Sequence, residues 1–250
     1  MEPEDSEGES EIYTHWEVGP DGVPPQEGKM KKMSLVIGLA MLMTPLWGGC
    51  QEKNDQAPAG DEKALMGKKV VMIIAPQNFR DEELIEPQDV LTEEGAQVKT
   101  ASSSLKVSKG MLGVQVKPDM LIGDIKPADW DAIILVGGAG ANVYWEDSTV
   151  HSLVKAAVKE NKIIGAICIA PVTLANAGIL SGKKATVFAS EEGKLKDKGA
   201  ECTGQNVQRD GKVITANGPK AAREFGNAIA QALTERQHDA AADTASETSQ

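Results

Sequence analysis

The chain has 250 residues, 41% of them hydrophobic but only 4% aromatic, which suits one well-buried domain with appendages and favours packed α/β structure over a β-sandwich. A formal net charge of −11 argues against a nucleic-acid binder, whose phosphate affinity needs clustered Lys and Arg. Three cysteines, Cys50, Cys168 and Cys202, are too few for a disulfide framework, and no CxxC or His/Cys ligand spacing supports a structural zinc site.

Residues 1–29 are acidic (Glu2, Glu4, Asp5, Glu7, Glu9, Glu11) and reach Pro24-Pro25 near their end, unlike the positive start of an export signal. Such a signal begins at Met30. Lys31 and Lys32 form a short cationic region and Leu35 to Leu46 an apolar run, too short for a membrane span of about 20 residues. Residues 1–29 are therefore expected to be a misassigned upstream extension. The run ends in Leu46-Trp47-Gly48-Gly49-Cys50, which resembles the lipobox of bacterial lipoproteins, with Trp47 standing where the usual pattern has leucine. That resemblance makes residues 30–49 a signal peptide and Cys50 the lipidated residue. The domain would then lie on the extracytoplasmic side of a bacterial envelope, meeting the membrane only through its N-terminal lipid. Residues 50–67, polar and containing Pro58 and Gly60, read as a flexible tether.

From Lys68 to Arg236 the pattern alternates strand and helix. Val70–Ala75 is a buried-strand run, an amphipathic helix covers Glu83–Glu94 and stops at Gly95, and Gln97–Ala101 starts a second strand. Ser102 to Ile125, full of Gly, Ser and Pro, predicts hairpin or crossover material. Ala132–Val136 is a third buried strand, ending at Gly137-Gly138, and a helix with a charged face follows from Ser148 to Asn161. Lys162–Ile167 predicts the next strand, then a tight turn at Cys168 and a small-residue helix through Ala177. Thr186–Phe188, a helix near Glu191–Lys198, strands near Val207 and Val213 and a helix from Pro219 complete the domain. The tail, residues 237–250, lacks apolar periodicity and predicts disorder. Buried strands alternating with helices make a mostly parallel sheet covered on both faces, and such sheets bind ligands beyond the carboxyl ends of their strands. Gly137-Gly138 and Cys168 both fall at such ends.

The segment Ile163 to Leu180, IIGAICIAPVTLANAGIL, places Cys168 in a sharp strand-to-helix turn with its side chain above the sheet. A helix N-terminus beneath it would favour thiolate over thiol. Backbone N–H groups of Ile169 and of the Gly137-Gly138 turn could converge on an oxyanion, since glycine allows close backbone approach. Each feature also has a plainer reading. A lone cysteine at a strand end is commonly a small buried hydrophobe, Glu83 could belong to a solvated acid patch with Asp81, Glu82 and Glu86, and the glycine pair could be only a turn. Tyr144 and Trp145, which follow the glycine pair, are read as packing before pocket lining, and Cys202 as structural.

NFRDEELIEP, ILVGGAG, AICIAP and GKVITANGP, in that order between about Lys68 and Leu233, resemble the motifs of the ThiJ/PfpI superfamily. The fold expected is α/β, a flavodoxin-like three-layer sandwich with a mostly parallel central sheet. In that family a glutamate four residues before a proline in the first helix hydrogen-bonds to the nucleophilic cysteine. Here Pro87 makes that residue Glu83, Cys168 becomes the nucleophile, and Gly137, Gly138 and Ile169 supply oxyanion N–H groups. A glutamate facing a thiolate is expected to be protonated and to donate. The resemblance also implies a homodimer.

The departures matter too. PfpI-type peptidases carry histidine directly after the cysteine, where this chain has Ile169; other members bring one from the strand after the nucleophile helix, where this chain has Phe188. Of three histidines, His15 and His238 lie outside the domain and His151 in the helix after the glycine loop reads as surface or packing. A Cys–His dyad for peptide hydrolysis has no base. The expected activity is glyoxalase- or deglycase-like, on a small carbonyl substrate, with no metal or organic cofactor. The alternative is a redox-responsive or stress-binding module working through oxidation of Cys168.

Overall fold

The computed structural model describes residues 63–247, with side chains through residue 235. The upstream extension, the signal, Cys50 and most of the tether therefore lie outside the described residues.

Seven strands form the central sheet. β1 (Lys69–Ile73), β3 (Gln97–Ser102), β6 (Met120–Leu121), β7 (Ala132–Leu135), β8 (Ile163–Ile167), β11 (Val207–Asp210) and β12 (Val213–Ala216) lie in the order β11-β12-β8-β7-β1-β3-β6. Every neighbouring pair is parallel except β11 and β12. The helices are α1 (Asp81–Glu93), α2 (Ser148–Lys159), α3 (Pro171–Asn176), α4 (Glu192–Asp197) and α5 (Ala222–Glu247).

Strand side chains alternate between two cores, as a period of two demands. Val71, Ile73, Ile133 and Leu135 face α2 and α3 with Val150, Val154, Val172 and Leu174. Val70, Met72, Ile134 and Ile167 face α1 and α5 with Leu84, Leu91, Phe225 and Ile229. Both faces are buried, which is why these strands read as unbroken apolar runs. Gly165 interrupts β8 because a Cβ there would stand 2.9 Å from the Phe225 ring. The expected three-layer α/β sandwich is the observed fold.

Local chemistry sets the boundaries. α1 ends in the paired reverse bonds of a Schellman cap, Gly95 N–H to Thr92 and Ala96 N–H to Leu91, with Gly95 at φ 96°. α2 is capped by Asp147, whose carboxylate accepts from Thr149 and Val150 N–H at 2.8 and 2.9 Å.

The Gly/Ser/Pro-rich stretch resolves into two pieces. β4 (Ser108–Gly110) and β5 (Gln115–Val116) make an antiparallel hairpin joined to β2 (Gln77–Phe79), while β6 edges the main sheet. One expectation fails. Thr186–Phe188 is irregular: the short strand is β9 (Lys184–Ala185), which pairs with β10 (Glu201–Cys202) outside the main sheet. α5 runs to Glu247, and alanine in AAADTA favours helix there without an apolar stripe.

Candidate active site

The carboxyl ends of β1, β7, β8 and β12 meet on one edge of the sheet, and the sequence-selected residues gather there. Cys168 follows β8 directly and adopts φ 63°, a left-handed conformation that costs an L-residue roughly 1–2 kcal/mol. Three partners hold the turn. Cys168 N–H bonds to the Ala216 carbonyl at 2.9 Å, and the Cys168 carbonyl accepts from Phe188 N–H at 2.9 Å. The Ile169 carbonyl accepts from the Trp145 indole Nε1 at 3.2 Å. Successive peptides of the turn are thus fixed from three separate parts of the chain. The Phe188 bond orients the Cys168–Ile169 peptide so that Ile169 N–H faces the sulfur, with Gly138 N–H as the second donor facing it.

Glu83 comes up from the first turn of α1 and is completely buried. Pro87, inside the same helix, has no N–H to offer the Glu83 carbonyl four residues back. Of the acidic cluster, Glu82 pairs on the solvent side with Arg80 at 2.8 Å. Asp81 is buried and accepts from Leu112 and Val114 N–H at 2.8 Å each, tying the β4–β5 hairpin to the helix start. The solvated-patch reading of this cluster is therefore wrong for Asp81 and Glu83.

The glycine pair splits its work. A Cβ on Gly137 would stand 2.4 Å from Glu83 Oε2 and 2.6 Å from Cys168 Cβ, so carboxyl and cysteine close around this one position. Its N–H weakly favours the ionised Glu83 carboxyl. Gly138 has φ 95° and its missing Cβ leaves room for Arg80 N, 2.3 Å away from where that atom would be; its N–H faces the sulfur.

Burial dominates the electrostatics. It raises Glu83 to about 7, against weaker lowering by Cys168, Arg80 and Gly137 N–H. Neither carboxyl oxygen has a partner at ordinary hydrogen-bond distance and angle, so those neighbours bias the proton without satisfying the group. With Glu83 ionised, burial first and that carboxylate second push the Cys168 thiol up to about 12. Cys168 is 8% exposed, which is why desolvation leads these causes. Both groups are raised, and the pair keeps one proton through the neutral range.

Phe188, at the position where some relatives would carry histidine, is 45% exposed. With Asn217, Gly218 and Lys220 it lines a cavity of about 330 Å³ beside the turn; neither Cys168 nor Glu83 lines it. His151 bonds to the Trp145 carbonyl at 2.9 Å, which fits its packing role. Tyr144 is buried and donates to the Ile74 carbonyl. Cys202 approaches the Glu192 carbonyl at 3.7 Å. Among the described residues no cluster of His, Cys, Asp and Glu could hold a metal ion, and no helix is long and apolar enough to cross a membrane.

The sequence model of the DJ-1/PfpI family matches residues 68–232. The chain belongs to the DJ-1/PfpI family. An uncharacterised protein of Methanocaldococcus jannaschii is 39% identical over 82% of this chain and 98% of its own length. A protein of Caenorhabditis elegans named glutathione-independent glyoxalase DJR-1.2 is 32% identical over 66% of this chain and 89% of its own. Pyrococcus furiosus deglycase PfpI is 29% identical over 60% and 90%. Among solved structures, Drosophila melanogaster DJ-1beta superposes with a TM-score of 0.62 at 32% identity, covering 68% of this chain and 91% of that one. A ThiJ/PfpI domain protein of Brachyspira murdochii gives 0.66 at 30% identity, covering 68% and 99%.

Proposed function

We propose that this DJ-1/PfpI protein is a cysteine-dependent enzyme acting on small carbonyl compounds, of the glyoxalase or deglycase kind, with Cys168 as nucleophile and Glu83 as its proton carrier. One observation carries the reading: a fully buried carboxyl without an ordinary hydrogen-bond partner, packed against a cysteine held at positive φ. Relatives named as a glyoxalase and as deglycases support the chemistry.

Once the pair has lost its first proton, the remaining negative charge is better placed on sulfur than on carboxylate. Two backbone N–H groups, of Gly138 and Ile169, favour the thiolate, against one, of Gly137, that favours the carboxylate, so a neutral carboxyl loses least in that buried position. The thiolate adds to the aldehyde carbon of a 2-oxoaldehyde. A C–S bond forms, the carbonyl π electrons move to oxygen beside those N–H groups, and the Glu83 proton completes a hemithioacetal. Glu83, now carboxylate, takes the proton from C1 and returns it at C2 while the C1 hydroxyl proton passes to the C2 oxygen, converting the adduct to a 2-hydroxy thioester. Water cleaves the thioester, releasing the 2-hydroxy acid and the cysteine. The sum is addition of one water, with no external oxidant. Histidine has no step in this route.

Purified protein given methylglyoxal is expected to form lactate, and Cys168→Ala is not. Equal lactate from both would remove this reading. A discrete one- or two-oxygen gain at Cys168 under mild peroxide would then favour the redox-responsive module.

Envelope anchoring is the second part of the proposal and rests on sequence alone, on Lys31-Lys32, the apolar run and Cys50. Expressed in a bacterium fed an alkyne fatty acid, the full chain should carry the label and Cys50→Ser should not. Unlabelled wild-type chain counts against anchoring.

A further inference from the structure

The indole of Trp145 does not belong to the catalytic pair, yet its N–H bonds to the turn that holds it. Trp145 Nε1 donates to the Ile169 carbonyl at 3.2 Å, on the far side of the residue whose N–H faces the sulfur. Val172 N–H reaches the same carbonyl at 3.2 Å, but that bond lies within the turn's own run into α3. Trp145 is the outside hold.

Trp145 is itself unusually well anchored. Its carbonyl accepts from His151 Nε2 at 2.9 Å and from Asn176 Nδ2 at 3.1 Å. Lys194, ion-paired with Glu191, stands 5.0 Å over its ring, an arrangement that favours the ring's orientation. Trp145 also ends the segment that begins at Gly137-Gly138 and runs through the single 3₁₀ stretch Ala139–Tyr144. One continuous piece of chain thus presents the Gly138 N–H at its start and holds the Ile169 peptide at its end.

We propose that Trp145 is a positioning residue that couples the two N–H donors facing Cys168, fixing Ile169 relative to Gly138 through its indole hydrogen bond. The proposal rests on Cys168 being the nucleophile, and it deepens that reading by naming what sets the donor geometry. Loss of the indole N–H frees the Ile169 carbonyl to tilt, and a donor displaced by a fraction of an ångström stabilises charge on sulfur or oxygen less well. Substrate binding does not pass through this bond.

Trp145→Phe keeps an aromatic ring under Lys194 and removes the N–H. With methylglyoxal as substrate, kcat is expected to fall about tenfold, the size of one hydrogen bond, while KM stays within about twofold. The pH midpoint of Cys168 alkylation by iodoacetamide should rise by roughly half a unit or more, as weaker stabilisation of the thiolate requires. The two readouts separate the failures. If wild type makes no lactate but Trp145→Phe still shifts the alkylation midpoint, the positioning role stands and the enzyme reading falls. If wild type turns over and Trp145→Phe changes neither kcat nor the midpoint, the positioning role is overturned. Equal changes in kcat and KM with an unmoved midpoint overturn it as well. Should Trp145→Phe fail to fold, Asn176→Ala decides: it removes one anchor of Trp145 without touching Ile169. It should move kcat and the midpoint in the same directions by about a third as much, and an unchanged profile overturns the role.

Discussion

Glu83→Gln is expected to melt higher than the wild-type protein at pH 8 while losing nearly all turnover. The reason is linkage. Burial raises the folded-state value of Glu83 to about 7 from an ordinary 4.5, so the folded state holds a proton that the unfolded state releases. Stability is complete below pH 4.5 and drains away as pH rises toward 7, reaching a deficit of about 3 kcal/mol above it. Glutamine has nearly the same shape and no charge, so the variant escapes this loss. At pH 5 the two proteins should melt within a few degrees of each other. At pH 8 the variant should lead by on the order of 5–10 °C. Turnover should fall by about 10²–10⁴-fold, the usual contribution of a positioned acid–base group. Calorimetry at the two pH values, with lactate assays on the same samples, checks both halves. A gap that does not widen with pH would mean that Glu83 is not held neutral by burial.

Gly137→Ala should abolish measurable turnover, a loss of at least about 10³-fold. The added methyl would sit 2.4 Å from Glu83 Oε2, 2.6 Å from Cys168 Cβ and 2.6 Å from the Ile167 carbonyl, and two of those atoms belong to the rigid turn. Overpacking of this kind costs roughly 1–3 kcal/mol, so the protein still folds but the pair is forced apart. Gly137 is not at positive φ, which makes alanine conformationally acceptable and isolates the steric effect. Gly123→Ala, where nothing lies within 4 Å of the new Cβ, should leave melting and turnover as they are. A Gly137→Ala protein that keeps wild-type turnover would show that the glycine pair serves the turn alone.

The fold was legible because strands buried on both faces announce themselves as apolar runs, and VVMIIA, AIILV and the run before Cys168 could be little else. Gly95 and Asp147 mark helix ends for reasons that act within a few residues. Cys168 was legible for the same kind of reason, since a cysteine between an apolar strand and a small-residue helix has only a tight turn to occupy. What failed depended on distance along the chain. Asp81 looks like its acidic neighbours until Leu112 and Val114, some thirty residues on, donate to it. How little of the sulfur is exposed is likewise encoded in no spacing. Trp145 read as packing because its bond to the turn runs from a side chain to a backbone carbonyl twenty-four residues away.

The location of the charge left on the Cys168–Glu83 pair decides the account most directly. Alkylation of Cys168 in the full-length protein, followed by mass at that residue between pH 5 and pH 10, reads it. Charge on sulfur gives a rate that rises along a sigmoid with its midpoint near 7, where the pair gives up its first proton. Charge on the carboxylate instead leaves Cys168 a thiol held toward 12, with negligible alkylation across the whole range. That outcome would contradict Cys168 as the working nucleophile.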